Sequence, residues 1–362
     1  MPDTSPPLPR VDEPEADARA TTRAPGWLLG GVLAVLGAVL LYVALAPAGR
    51  APMLLKIALV VLALGLVGTG LKRIGRAVWG PSFDLGVALS AAWLTLLILA
   101  AALADVLPLG NARDTTQTIG IIGYRTPDLF SANPLGTNGF GLDLLARCIY
   151  GARVSLLTVA VTVLASLLIG GTIGMIAGYF RRWVDVTIGI FADATLVVPA
   201  LVLLIAFAAV LGSPTTVGQA VWKNGLALAA VGIPTMVRLA RANTMVYAQR
   251  GFVLASRSLG ARHPRVLIRE VLPNVALPLL SYAFIVAAVL IVAEGSLAFL
   301  GLGLQQPEPS WGNMIAEGGL RDLRRHPHVA LVPGAFIFLT VFSLNLVGEW
   351  TRARWDAREA KI

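Results

Sequence analysis

Charge is scarce in this sequence: Asp, Glu, Lys and Arg together make up 14% of its 362 residues, where soluble domains carry about 25%. A water-soluble globular chain is excluded on that ground. Cysteine occurs once, at Cys148, so there is no intramolecular disulfide framework and no cysteine-cluster metal site. Three histidines and scattered carboxylates leave little for hydrolytic or metal chemistry. None of the four lysines, Lys56, Lys72, Lys223 and Lys361, follows a glycine. A Gly-x-x-x-x-Gly-Lys-Ser/Thr phosphate loop is therefore absent, and any ATP-derived energy must come from another polypeptide.

Apolar residues are abundant, at 56% of the chain and a mean hydropathy of +0.76. They come in blocks at about 27–46, 53–71, 85–107, 153–179, 185–211, 224–246, 275–303 and 329–349. Each is long enough to cross a bilayer as a helix. Backbone inside hydrocarbon must satisfy its own hydrogen bonds, and these lengths suit helices rather than barrel strands. The expected fold is an all-α integral membrane protein of about eight transmembrane helices. Pro199, Pro234, Pro278 and Pro333 lie inside blocks and predict kinks. Residues 1–26, rich in proline, alanine and both charge signs, read as a disordered tail. A cleaved signal peptide is the rival there, from Ala44-Leu45-Ala46. Acids near the terminus, a block of about twenty residues and Pro47 weigh against it.

The net charge of +9 needs no nucleic acid to explain it, because basic excess in a membrane protein marks cytoplasmic loops. Lys72, Arg73 and Arg76 follow the second block, and Arg181 and Arg182 the fourth. Arg238, Arg241, Arg250, Arg257, Arg262, Arg265 and Arg269 close or follow the sixth, and Arg352, Arg354, Arg358 and Lys361 end the chain. Eight spans put all of these on one side, with both termini cytoplasmic. Arg321, Arg324 and Arg325 fall outside, partly offset by Glu308, Glu317 and Asp322.

One cytoplasmic loop, 248–274, is too long and too patterned for a connector. On a helical wheel Phe252, Ala255 and Leu259 share one face and Arg250 and Arg257 the other. Gly260 stands where a helix stops in a left-handed residue. Pro264 suits the first turn of a second helix that Pro273 ends. Leu254 falls on the arginine face, where exposure gains nothing unless a partner covers it. An amphipathic hairpin lying on anionic lipid is the other reading of this pattern.

Here the chain resembles a known family. Phe252-Val-Leu-Ala-Ser-Arg-Ser-Leu-Gly-Ala261 followed by Ile268-Arg-Glu-Val-Leu-Pro-Asn274 resembles the EAA loop of ABC-importer permeases. Pro134-Leu-Gly-Thr-Asn-Gly-Phe-Gly-Leu-Asp143 with Arg147-Cys-Ile-Tyr-Gly-Ala-Arg-Val-Ser-Leu156 is similar to a segment of the dipeptide/oligopeptide/nickel branch. So is Glu294-Gly-Ser-Leu-Ala-Phe-Leu-Gly-Leu-Gly303 with Pro309-Ser-Trp-Gly-Asn-Met314. The likeness covers about 80–355 and is to the "C" subunit type. The Glu-Ala-Ala triplet itself reads Leu254-Ala255-Ser256, the acid after Gly-Thr is Asn138, and the arginine before Asp143 is Leu142.

The resemblance implies a division into a 1–26 tail, an extra two-helix segment 27–79, a permease domain 80–355 and a tail 356–362. It implies a subunit of the bacterial inner membrane that hydrolyses nothing and holds no cofactor. ATP and Mg would be bound by two partner ATPase subunits, beside a second permease subunit and an extracytoplasmic substrate-binding protein. Coupling to the ATPases falls to Arg250, Phe252, Leu254, Ala255, Ser256, Arg257, Leu259, Gly260 and Ala261. Gly136, Thr137 and Asp143 carry the family-like external segment, which either seals the subunit as a re-entrant or surface helix or, together with 304–328, faces the binding protein. The cargo implied is a peptide, or else nickel or another small solute.

Polar residues inside spans are functional candidates by default. Asp193 and Glu294 either line the substrate pathway, where a carboxylate attracts a peptide's terminal ammonium, or tie helices together. Arg238 is expected to snorkel, and Trp311, Trp350 and Trp355 to anchor at interfaces. His326 and His328 lack a third ligand type for a metal. Gly170, Gly171, Gly174 and Gly178 give small-residue spacing for close helix packing. Two other classes stay open: a stand-alone secondary transporter or channel, which should show internal repeats, and a membrane scaffold that has lost transport.

Overall fold

The structure, a computed structural model, describes residues 26–45, 53–120, 122–128, 130–212 and 214–359. Residues 1–25 of the expected tail and Lys361 lie outside them. Among the described residues every regular element is a helix, beside one isolated antiparallel bridge between Thr137 and Asp143. The chain divides at Ala88 and Leu89 into two compact units.

The first unit is built on two helices, α1 (Gly26–Leu45) and α2 (Met53–Trp79). They approach through glycine. A Cβ on Gly30 would lie 2.8 Å from the Gly70 carbonyl oxygen, and one on Gly37 2.8 Å from that of Ala63. Only hydrogen fits at such contacts.

The second unit begins within α3 (Leu85–Ala102). After an irregular segment come α4 (Leu144–Ala165), a π-turn at Ser166–Gly170 and α5 (Gly171–Phe180), a run of 37 residues. α6 (Arg182–Val197) and α7 (Ala200–Leu211) meet at a 92° bend. α8 (Val217–Tyr247), α9 (Gly251–Ser258) and α10 (His263–Val266) follow, then a second π-turn (Leu267–Val271) and α11 (Leu272–Phe299). α12 (Trp311–Glu317), α13 (Leu320–Arg325) and α14 (His328–Glu359) are the last of the described elements.

Among the described residues six helical stretches are long and apolar enough to cross a membrane, and a seventh if the bent α6–α7 pair counts as one span. The apolar part of α1, Trp27–Tyr42, is shorter. The architecture is thus a multi-span helical membrane protein. The block at 185–211 is the one that breaks. Pro199 has no N–H to donate and forces Val198 out of the helical region, to φ −70° and ψ 127°. Pro234, Pro278 and Pro333 instead lie inside unbroken helices.

Pro273 does not end a loop helix as its position suggests. Helix runs on from His263 to Phe299. The π-turn supplies the reason: Leu272 N–H bonds the Leu267 carbonyl five residues back, which widens the turn and relieves the clash of the proline ring. The Asn274 side-chain amide donates to the Glu270 carbonyl at 2.6 Å.

Three of the four glycines near α5 form a ladder on α8. A Cβ on Gly170, Gly174 or Gly178 would press on the carbonyl oxygens of Ile233, Val237 and Arg241 respectively. The four-residue step matches on both helices. Gly171 belongs to another face, with Leu279 Cδ1 3.6 Å away.

Candidate functional site

The loop between α8 and α11 holds the first group of expected residues. α9 closes in a Schellman turn: Gly260 N–H bonds the Arg257 carbonyl at 2.9 Å and Ala261 N–H the Ser256 carbonyl at 3.2 Å. Gly260 has φ +83°, which suits glycine. Phe252, Leu254, Ala255 and Leu259 are all exposed, Leu259 at 89%. Arg250 and Arg257 are exposed as well, and Ser256 and Ala261 half-buried. Only Val253 of this helix is fully buried, at 0%. α9 thus rests on its own chain through one valine and turns its other apolar side chains outward. The loop is tied to the end of α5, where Tyr179 Oη and His263 Nδ1 are 3.0 Å apart and the Phe180 ring stands against His263.

Asp193 and Glu294 differ sharply. Glu294 is 1% exposed and accepts a hydrogen bond from Ser155 Oγ at 2.9 Å, so it faces no open passage in this chain. Asp193 on α6 takes Arg238 of α8 at 2.6 Å, with side chains 64% and 59% exposed. Arg238, expected to snorkel, has its head group paired with this carboxylate. One level nearer the α9 end, Asp185 and Arg241 form a two-pronged pair in which Asp185 is buried.

At the far end, the family-like segment expected to be external is an assembled cap. Asp143 Oδ2 accepts the Ala146 N–H at 3.1 Å and so starts α4. Gly136, at φ +84°, packs its bare Cα against the Arg125 carbonyl, and Thr137 Oγ1 accepts from Arg125 N–H at 3.0 Å. Asn138 Oδ1 accepts the Leu142 N–H at 2.8 Å while its amide donates to Glu317. Arg147, 1% exposed, meets Glu317 Oε2 at 3.0 Å and the Ala112 carbonyl at 3.2 Å. Burial holds the Asp143 carboxyl above its ordinary value, whereas hydrogen bonds from Arg153 and Tyr150 hold Asp105 below its own. His328 Nε2 lies 3.3 Å from the Thr137 carbonyl, and His326 stacks on Tyr124. Among the described residues no group of three or more His, Cys, Asp or Glu is placed to hold a metal ion.

Comparison with known proteins decides the family. Residues 170–361, more than half of the chain, match the family described as binding-protein-dependent transport system inner membrane component. The glutathione transport system permease protein GsiD of Pectobacterium atrosepticum is 37% identical over 232 residues, spanning 64% of this chain and 74% of that protein. The dipeptide transport system permease protein DppC of Alkalihalophilus pseudofirmus is 32% identical over 266 residues, spanning 73% and 83%. The chain belongs to this transport family. It is an inner-membrane permease component.

Several residues of the permease's cap escape a reading of the sequence. Trp311 is not an interface anchor: it is 0% exposed and donates through Nε1 to the Cys148 carbonyl at 3.0 Å. A tryptophan between apolar and polar stretches suits an interface or a core equally well, and the deciding acceptor lies 163 residues away. Glu317 offers no local sign of its buried partner either. Val253 was findable, since it is apolar and falls between the two faces of the α9 wheel.

Proposed function

We propose that this permease forms, with a second permease subunit, the pathway of an ATP-driven ABC importer for peptides. The observation that carries the reading is α9. A short helix closed by a glycine turn, presenting Phe252, Leu254 and Leu259 to solvent with Arg250 and Arg257 beside them, fits a groove with an apolar floor and an acidic rim. Such a groove belongs to each of two cytoplasmic ATPase subunits, which bind ATP and Mg while this chain holds no cofactor. The names of the relatives, glutathione and dipeptide transport, support a peptide cargo.

In this reading α1, α2 and the bent α6–α7 pair count as crossings, which makes eight, with both termini and the 248–274 loop cytoplasmic. Residues 27–79 are then an addition to the 80–355 permease domain. The cap formed by Gly136, Thr137, Asp143 and the 304–328 segment faces an extracytoplasmic binding protein. Glu294 ties α4 to α11.

The test is gentle detergent purification of the tagged chain from its native membrane, with mass spectrometry of what accompanies it. An ATPase and a second permease should come with the intact chain, and the ATPase should be lost from a version lacking 250–262. Gly260→Val, strained at φ +83° but meeting no neighbour within 4 Å, should uncouple ATP hydrolysis from transport. Recovery of the intact chain alone in several mild detergents would overturn the proposal.

A further inference from the structure

The Asp193–Arg238 pair sits where a charge pair is hardest to explain. Asp193 lies eleven residues into α6 and Arg238 nine residues from the α9 end of α8, about 16 and 14 Å along their axes. Both positions fall inside apolar blocks read as crossings, Asp193 within 185–211 and Arg238 within 224–246. Both side chains are more than half exposed. The neighbouring Asp185–Arg241 pair, joining the same two helices, has its carboxylate buried. Charges inside a span face a bundle interior or a water-filled space, because lipid tails solvate neither. Asp193 also stands four residues before Val197, at the 92° break between α6 and α7. Irregular backbone at membrane depth is tolerated where it is covered by protein or lines a cavity.

We infer that Asp193 and Arg238 line the water-filled pathway and form a subsite for a zwitterionic peptide, Asp193 taking its ammonium and Arg238 its carboxylate. This rests on the importer reading above. The exchange is neutral at every stage. Closed, the pair carries no net charge, so neither a lone cation nor a lone anion gains by opening it. A free peptide satisfies both partners at once. Ile190 and Val197, one turn either side of Asp193 and 62% and 82% exposed, give the subsite apolar walls that accept varied side chains, the common make-up of a ligand site.

The experiment uses the assembled transporter in native membranes, with single cysteines introduced at chosen positions. Cys148 is fully buried, so the unsubstituted chain is the background. Water-soluble methanethiosulfonates, one cationic and one anionic, are the probes. Asp193→Cys and Arg238→Cys should react at least about tenfold faster than Glu294→Cys. Asp193→Cys, which leaves Arg238, should favour the anionic reagent, and Arg238→Cys the cationic one. Val197→Cys keeps the pair intact and should react as well, so the inference stays testable if the charge variants fail to assemble. Reaction at 193 and 197 as slow as at 294, or without opposite charge preference at 193 and 238, would overturn it. Absence of the ATPase and second permease from the same membranes would sink the importer reading instead, a separate result read by co-purification.

Discussion

Ser155 of α4 donates to Glu294 of α11 across 2.9 Å, joining two helices through residues 139 positions apart in the chain. Both are buried, at 0% and 1% exposure. Glu294→Gln keeps an oxygen acceptor of the same shape and should leave melting in detergent and transport near the wild-type level. Glu294→Leu removes the bond and should cost about 1 kcal/mol. A well-folded Gln variant that did not transport would show that the carboxyl does more than join helices.

Arg147 and Glu317 depend on each other more heavily. Arg147→Met strands a carboxylate only 10% exposed, and removing one member of a buried pair costs about 3 kcal/mol. Its melting temperature should fall further than that of Glu317→Gln, which can still accept from Asn138 and Arg147. Equal behaviour of the two variants would refute the pairing.

The glycine ladder separates neighbours that look alike in sequence. Gly174→Ala drives a methyl into the backbone of Val237, which has no rotamer to give way, and should cost about 2 kcal/mol by overpacking. Gly171→Ala, next to the flexible Leu279 side chain, should be neutral within about 0.5 kcal/mol. Thermal denaturation of the two variants side by side is the check.

The cap should respond to pH through Asp143. Burial raises its folded value above the unfolded value of about 4. The folded state therefore holds the proton more tightly. The penalty for ionising Asp143 is full above the raised value and vanishes below the unfolded one. Asp143→Asn keeps the cap on α4 without the charge. It should melt higher than the wild type at pH 8, with the gap closing as pH falls toward 4. Asp105, held low by Arg153 and Tyr150, acts in the other direction, its contribution being lost as pH falls through its lowered value.

What the sequence reveals follows from range. Hydrophobic blocks, the Gly260 stop and the break at Pro199 rest on residues within a turn or two of one another. Each is legible without the fold. The start of α4 at Leu144 is local too, but the apolar block alone begins later, because Arg147 interrupts it until Glu317 is in place. The Cys148 carbonyl that takes the Trp311 N–H, and Glu317 that takes both Arg147 and Asn138, lie more than 160 residues from their partners, and no spacing pattern points to them. Asp193 and Glu294 are equally conspicuous acids in apolar stretches. Only packing separates the open one from the enclosed one.

The cap has a consequence for the order in which the permease is made. Arg147 emerges from the ribosome 170 residues before Glu317. Until α12 is synthesised, the beginning of α4 carries a cation with no carboxylate and an Asn138 amide with no acceptor. That stretch must wait in water rather than descend into lipid. The first crossings can insert one after another as their hydrophobic blocks appear. The cap can close only after α12 has been made, so its closure reports that both partners have left the ribosome: a truncated permease lacking α12 would leave the beginning of α4 unsealed.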